Sequence, residues 1–167
     1  GGPQRPLTIV GPRGLGARLG VLMEALYPRP SPRDWGFALD IREIEIGATM
    51  RVAGLDLTAF AMDHPSGGDA LGLRFSDGKS DFAYSGDTGW TDALVDLARD
   101  ADLLLVECSG ALDPLPYHLD WRGLKEKLPR LAARRVVLTH MSEAARALED
   151  DMRQSGVELA DEGLAFD

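Results

Sequence analysis

The stretch DFAYSGDTGWTDALVDLARDADLLLVECSG, residues 81–110, decides the fold class. Residues 81–84 read as a strand, and Ser85, Gly86, Asp87 and Thr88 form a small, polar turn after it. Thr91 offers a hydroxyl placed to cap a helix through about Asp100, with Leu94, Leu97, Ala98 and Ala101 recurring on its inner face. Leu103, Leu104, Leu105 and Val106 then form an unbroken apolar run, which predicts a strand buried on both faces in a sheet covered by helices. Strand, helix and strand in succession place the chain in the α/β class with a mixed sheet.

The same alternation continues outward. Downstream, Asp120 is placed to cap a helix that turns Trp121, Leu124, Leu128 and Leu131 inward, with Pro129 kinking or shortening it. Residues 136–138 read as a buried strand, Ser142 caps a helix to about Gln154, and residues 157–159 and 164–166 read as a closing hairpin around Asp161–Gly163. Upstream, residues 6–10 predict a strand. Residues 15–27 predict a helix with Leu15, Leu19, Leu22 and Leu26 on one face, followed by a proline-rich turn over 28–33. Residues 37–64 carry β-type segments broken by Gly47 and by a turn at Ala53 and Gly54. A further strand at 71–75 turns at Ser76, Asp77 and Gly78.

Composition bounds the function. The 167 residues suffice for one domain with a core. With 18 basic against 27 acidic residues the net charge is −9, an unfavourable average field for a polyanion unless a bound metal reverses it locally. The lone cysteine, Cys108, forms no intrachain disulfide, which fits a reducing, cytoplasmic setting. No apolar run reaches the roughly 18–20 residues that span a membrane, and the first residues lack the basic-then-apolar order of a signal peptide.

Four constellations compete for the chemistry. Gly11, Gly14 and Gly16 lie between a strand and a helix, where a phosphate loop would lie, but no clear strand ends in an acid ~20 residues on, as a dinucleotide site requires. A glycine turn that lets the helix pack close is the stronger reading. Cys108, Ser66, Ser85 and Ser109 lie near strand ends, yet no G-x-S-x-G elbow is present, and Cys108 reads as a small core residue. His64, Asp87 and His140 each follow a strand-like run, and imidazoles with a carboxylate are the ligand set of hydrolytic zinc, manganese or iron sites. On spacing alone this stays balanced against satisfied structural histidines. Glu107 and His118 flank a loop, and a carboxylate that accepts one imidazole N–H holds the ring as a usable general acid. A solvated glutamate beside a helix-proximal histidine is the competing reading.

Taken together these residues resemble the metallo-β-lactamase fold hydrolases, in the branch of ribonuclease Z and related phosphodiesterases. Pro6–Pro12 is similar to the strand and turn before that branch's middle helix. Asp63–His64–Pro65, followed by Gly72–Phe75, is similar to its third metal motif. Tyr84–Thr88 is similar to the fourth, and Leu138–His140 to the fifth. The resemblance implies an αββα sandwich and a hydroxide held between two metal ions, zinc or else manganese or iron. It assigns His64 to one ion, His140 to the other and Asp87 to the bridge, with Glu107 and His118 as the proton-transfer pair. Tyr117–Trp121 departs from the ribonuclease Z form and looks like a bacterial metallo-hydrolase subgroup.

The family's H-x-H-x-D-H motif is not in these residues. The expectation is therefore one incomplete domain over 1–167, truncated at the N-terminus, whose paired site closes only with a preceding segment or a second copy. On that expectation the chain alone is nearly inactive. Its alternative is a non-catalytic or single-metal-binding module. The interval from His64 to Asp87 leaves no room for a tRNA-gripping arm, so a small phosphodiester or similar ester is the expected substrate.

Overall fold

The computed structural model describes residues 5–27 and 37–165. The proline-rich turn expected at 28–33 and the expected strand residue Phe166 lie outside them. The chain falls into two compact units, Gly1–Glu45 and Ile46–Asp167.

In the first unit, β1 (Leu7–Gly11) and β2 (Leu39–Glu43) pair in parallel, and α1 (Leu15–Leu26) lies between them in sequence. The helix stands where its leucine spacing predicts, but its burial differs. Leu15 and Leu19 are half-buried, whereas Leu22 and Leu26 are exposed. A two-stranded ribbon is too narrow to cover a 12-residue helix to its end.

In the second unit, seven strands pair in the order in which the chain makes them. Strands β3 (Thr49–Val52), β4 (Leu55–Ala61), β5 (Leu71–Ser76) and β6 (Asp81–Tyr84) form an antiparallel meander. Its first hairpin turns through Ala53 and Gly54, both at positive φ, between the paired Val52 and Leu55. Strands β7 (Leu103–Glu107), β8 (Val136–Thr139) and β9 (Glu158–Leu159) add in parallel. Each parallel step needs a crossover. These are α2 (Asp92–Ala98), α3 (Trp121–Lys127) with a 3₁₀ turn at Leu128–Arg130, and the pair α4 (Glu143–Arg146) and α5 (Glu149–Gln154).

Side chains alternate across a sheet, and one face carries the core. Ala83, Leu104, Val106, Leu138 and Leu159 pack with Leu94, Leu97, Trp121, Leu124 and Met152 from the helices. Each such large side chain contributes about 1.5–3 kcal/mol by leaving water. On the other face, the register aligns Phe75, Phe82 and Leu103, and likewise Leu73, Tyr84 and Leu105. These are half-buried or exposed among the described residues, so β7 is sealed on one face only and not on both as its composition predicts. The seven-stranded sheet is flanked by helices, as the resemblance implies.

Three boundaries differ from expectation. Helix α2 ends at Ala98 because Arg99 leaves helical geometry at ψ 118, and Asp100 then turns at φ 56. The helix capped by Ser142 breaks near Leu148, whose N–H bonds to the Ala145 carbonyl at 3.0 Å in a tightened turn before α5 begins. The closing hairpin is not formed among the described residues. Glu158–Leu159 instead joins β8 in parallel, with Ala160 N–H donating to Leu138 (2.8 Å) and Arg135 gripping Glu158 through two 2.9 Å bonds. The α4–α5 crossover returns the chain in the direction of β8, which makes parallel pairing the available geometry.

No helix among the described residues is long and apolar enough to cross a membrane.

Candidate functional site

Four loops at strand ends converge, and the backbone first explains why. Residue 63 forms an antiparallel bridge with Gly89, whose N–H donates to the Asp63 carbonyl at 2.9 Å. The Thr88 hydroxyl accepts from Asp63 N–H at 2.9 Å and donates to the Gly89 carbonyl at 2.7 Å. These bonds tie the His64 loop after β4 to the Asp87 loop after β6. Asp120 caps α3 by accepting from Gly123 N–H at 2.8 Å, while Gly110 and Asp120 form a parallel bridge. A Cβ on Gly110 would stand 2.8 Å from the Asp120 Cβ and 3.1 Å from its Cα, so the close approach that seats His118 requires glycine there.

The four groups that the sequence marks come together. His64, Asp87 and His118 each offer one donor atom, and all three atoms lie within 4.8 Å of one another. The His64 and His118 rings meet edge to face at 5.1 Å between centroids, and the His118 and His140 rings lie 5.8 Å apart. His140 Nε2 is 3.7 Å from Asp87 Oδ1. That separation exceeds a hydrogen bond, so it is a charge contact when the ring is protonated. His140 follows β8 at φ 53 and Tyr117 precedes His118 at φ 62. Two non-glycine residues in left-handed backbone beside one cluster are the kind of strain that accumulates at functional sites.

Glu107 is the hub. Its carboxylate, 1% exposed, closes β7 and accepts from His118 Nδ1 (2.7 Å), Thr88 N–H (2.8 Å) and Ser109 N–H (3.0 Å). The Ser109 hydroxyl lies 2.9 Å from the same carboxylate and 3.0 Å from the His140 carbonyl, with one proton to give. Every partner can donate, which suits the acceptor-only form of a carboxylate. One buried side chain therefore fixes His118 directly, the Asp87 loop through Thr88, the His64 loop through the Thr88 hydroxyl, and the His140 turn through Ser109. Spacing alone shows the Glu107–His118 pair but not Thr88 or Ser109. The signal for both was position, Thr88 being the hydroxyl residue directly after Asp87 and Ser109 the one two residues after Glu107.

The donor chemistry fits a divalent ion. Two imidazoles and a carboxylate suit zinc, manganese or iron. A tetrahedral site with bonds of about 2.0–2.2 Å spaces its donors about 3.4 Å apart, so 4.8 Å is a modest opening that binding would draw in.

The competing sites are accounted for otherwise. In the glycine loop, Gly14 and Gly16 N–H donate to the two Glu43 oxygens at 2.9 and 3.0 Å. These bonds hold the Glu43 carboxyl below its usual pKa. A strand does end in an acid after this loop, but the acid occupies the anion-binding N–H groups itself. Cys108 is fully buried, and burial, then the charges of Glu107 and Asp120, push its thiol up to about 12. A thiol held neutral is no nucleophile.

Comparison with known proteins bears on the family and the fold. The model of the family described as "Beta-lactamase superfamily domain" matches residues 2–141. An uncharacterized protein of Mycobacterium tuberculosis is 30% identical over 146 residues, covering 83% of this chain and 52% of that protein. Among solved structures, the metallo-beta-lactamase fold protein YhfI from Bacillus subtilis is similar at TM-score 0.75 and 17% identity, covering 97% of this chain and 65% of that one. Zn(2+)-bound PqqB from Methylobacterium extorquens is similar at TM-score 0.72 and 17% identity, with coverage of 97% and 65%. The chain spans about half the length of the curated relatives it matches, or less.

Proposed function

The chain belongs to the beta-lactamase superfamily domain family, with a metallo-beta-lactamase fold, and from that premise we propose that its histidine cluster is the hydrolytic centre of a metal-dependent phosphodiesterase or related esterase. The convergence of His64, Asp87 and His118 to within 4.8 Å, with His140 against Asp87, carries the reading. In this reading His64, Asp87 and His140 would be the side chains of this chain that hold the metal. A bound divalent ion supplies Lewis-acid charge to the attacked centre and lowers the pKa of water.

The remaining steps belong to the side chains. His118 gives Nδ1 to Glu107, which leaves its second ring nitrogen for the cluster. That nitrogen holds the proton destined for the leaving oxygen, and Glu107 steadies the ring and offsets its positive charge. Thr88 keeps Asp87 from swinging away, because its own N–H is held by Glu107. The chain between His64 and Asp87 is largely the β5–β6 hairpin, and the net charge is −9, which together favour a small ester over tRNA.

A second reading rests on the same triad: His118 as third ligand to a single ion, in a module without turnover. Metal content and hydrolysis of bis-p-nitrophenyl phosphate separate the two, measured on this chain and on a longer protein that adds the upstream sequence. Two equivalents of metal with turnover in the longer protein, and at most one equivalent with little turnover here, are expected. One equivalent and no turnover in both would favour the module. Full turnover by this chain would overturn the proposed need for further ligands.

A further inference from the structure

Beside the cluster, His118 also forms one wall of a separate recess of about 240 Å³, lined with Asp63, Gly89, Trp90, Tyr117 and Lys127. Pockets that take a whole drug-sized ligand run to roughly 300–1,000 Å³, so this one suits a fragment. We propose that it is a subsite for a flat, neutral aromatic leaving group, its hydroxyl oxygen turned toward His118. The orientation, though not the binding, rests on the hydrolytic reading above.

Three features make it a built recess. The Trp90 indole is fixed by two cations over its ring, Lys127 Nζ at 5.2 Å and Arg130 Cζ at 5.3 Å from the centroid. Arg130 is itself held by Asp92 at 2.7 Å. Residue 89 is glycine where the chain comes close to two other lining residues: a Cβ there would stand 3.0 Å from Asp63 Oδ2 and 3.5 Å from the Tyr117 Cα. Tyr117 is a second aromatic residue of the lining and stands in left-handed backbone at φ 62. A strained residue is retained where its placement matters.

The charges argue for a neutral ring. Lys127 and Asp63 bring opposite signs to the lining, while the Asp120 carboxylate is engaged as the cap of α3. An anion would meet two carboxylates and one ammonium. A flat ring instead gains stacking or edge contact with indole and phenol, about 0.5–1.5 kcal/mol beyond its buried area.

Phenol and cyclohexanol share a hydroxyl and nearly a size, but only phenol is flat. Each is titrated into the metal-free chain while ¹H–¹⁵N spectra follow the Gly89 amide and the Trp90 indole N–H. Phenol is expected to bind at least fivefold more tightly and to shift both signals. Lys127→Met, which removes one of the two cations over the indole while leaving the core alone, is expected to cut that preference to about twofold or less, and Trp90→Leu to remove it. Equal binding of the two alcohols would overturn the proposal. So would shifts that map to the Phe75–Phe82 face, or a preference untouched by Lys127→Met and by a folded Trp90→Leu. Hydrolysis of bis-p-nitrophenyl phosphate by the longer protein is scored separately. Phenol binding without turnover faults the hydrolytic reading and leaves the recess standing.

Discussion

Replacing Glu107 by glutamine keeps the side chain's shape but exchanges one acceptor oxygen for an NH₂ group. The best orientation keeps the amide oxygen toward Thr88 N–H and His118 Nδ1, now at 2.8 and 2.7 Å, and turns the NH₂ toward Ser109 N–H. One donor then faces another, at about 1–3 kcal/mol, and the two retained bonds lose their charge assistance. Relief from burying a charge offsets part of this, so Glu107→Gln is expected to destabilise by about 1–3 kcal/mol. Glu107→Ala leaves both backbone donors without their acceptor and opens a cavity at a fully buried position, for about 3–5 kcal/mol. Urea denaturation at pH 7 reads this directly, since with a slope of about 1–3 kcal/mol/M a 2 kcal/mol loss moves the midpoint by roughly 1 M. The ¹⁵N shifts of His118 supply a second reading: the Nδ1–H form should persist in Glu107→Gln and give way to mixed tautomers in Glu107→Ala. If Glu107→Ala stays within about 0.5 kcal/mol of the parent, or its His118 tautomer is unchanged, Glu107 is not the hub.

Three further outcomes can be measured. The Ala53–Gly54 turn holds both residues at positive φ, a two-residue type I′ geometry that favours Asn-Gly, so Ala53→Asn should raise stability by about 0.5–1 kcal/mol and the melting temperature by about 1–4 °C. Gly110→Ala should cost about 1–3 kcal/mol because Asp120 backbone stands in the way, and should displace His118 resonances more than those of His64. The Cys108 thiol, raised from 9.0 to about 12, stays protonated in the fold while the unfolded thiol ionises, so stability is complete below pH about 9 and falls from there toward about 12. Cys108→Ala should flatten that alkaline slope by up to about 1.4 kcal/mol per pH unit, and an unchanged slope would remove Cys108 from the account.

The elements that the sequence shows best are those whose burial pattern is local. Leu94, Leu97 and Ala98 lie on one face of α2, and Thr91 caps it as its chemistry implies. The strand ends holding His64, Asp87, Glu107 and His140 are visible because apolar runs stop there. What spacing could not show depends on distant partners. Leu103 and Leu105 are as apolar as Leu104, so only the sheet reveals which face the helices cover. Leu164 follows a good turn, but pairing of Glu158–Leu159 with β8 decides the edge. Thr88 and Ser109 acquire their roles only once a carboxylate from another strand reaches them.

Because β3 through β9 pair in the order in which they are synthesised, the sheet grows along a single advancing edge, each strand meeting a template already in place. His64, Asp87 and Glu107 are laid down in turn, yet His118 gains its seat only when α3 docks, and His140 only when β8 closes on β7. A chain that has emerged from the ribosome as far as the β7–β8 connection would thus hold His64, Asp87 and, once α3 docks, His118 around Glu107, without His140. His140 would therefore join last, after His64, Asp87 and His118 have been brought together.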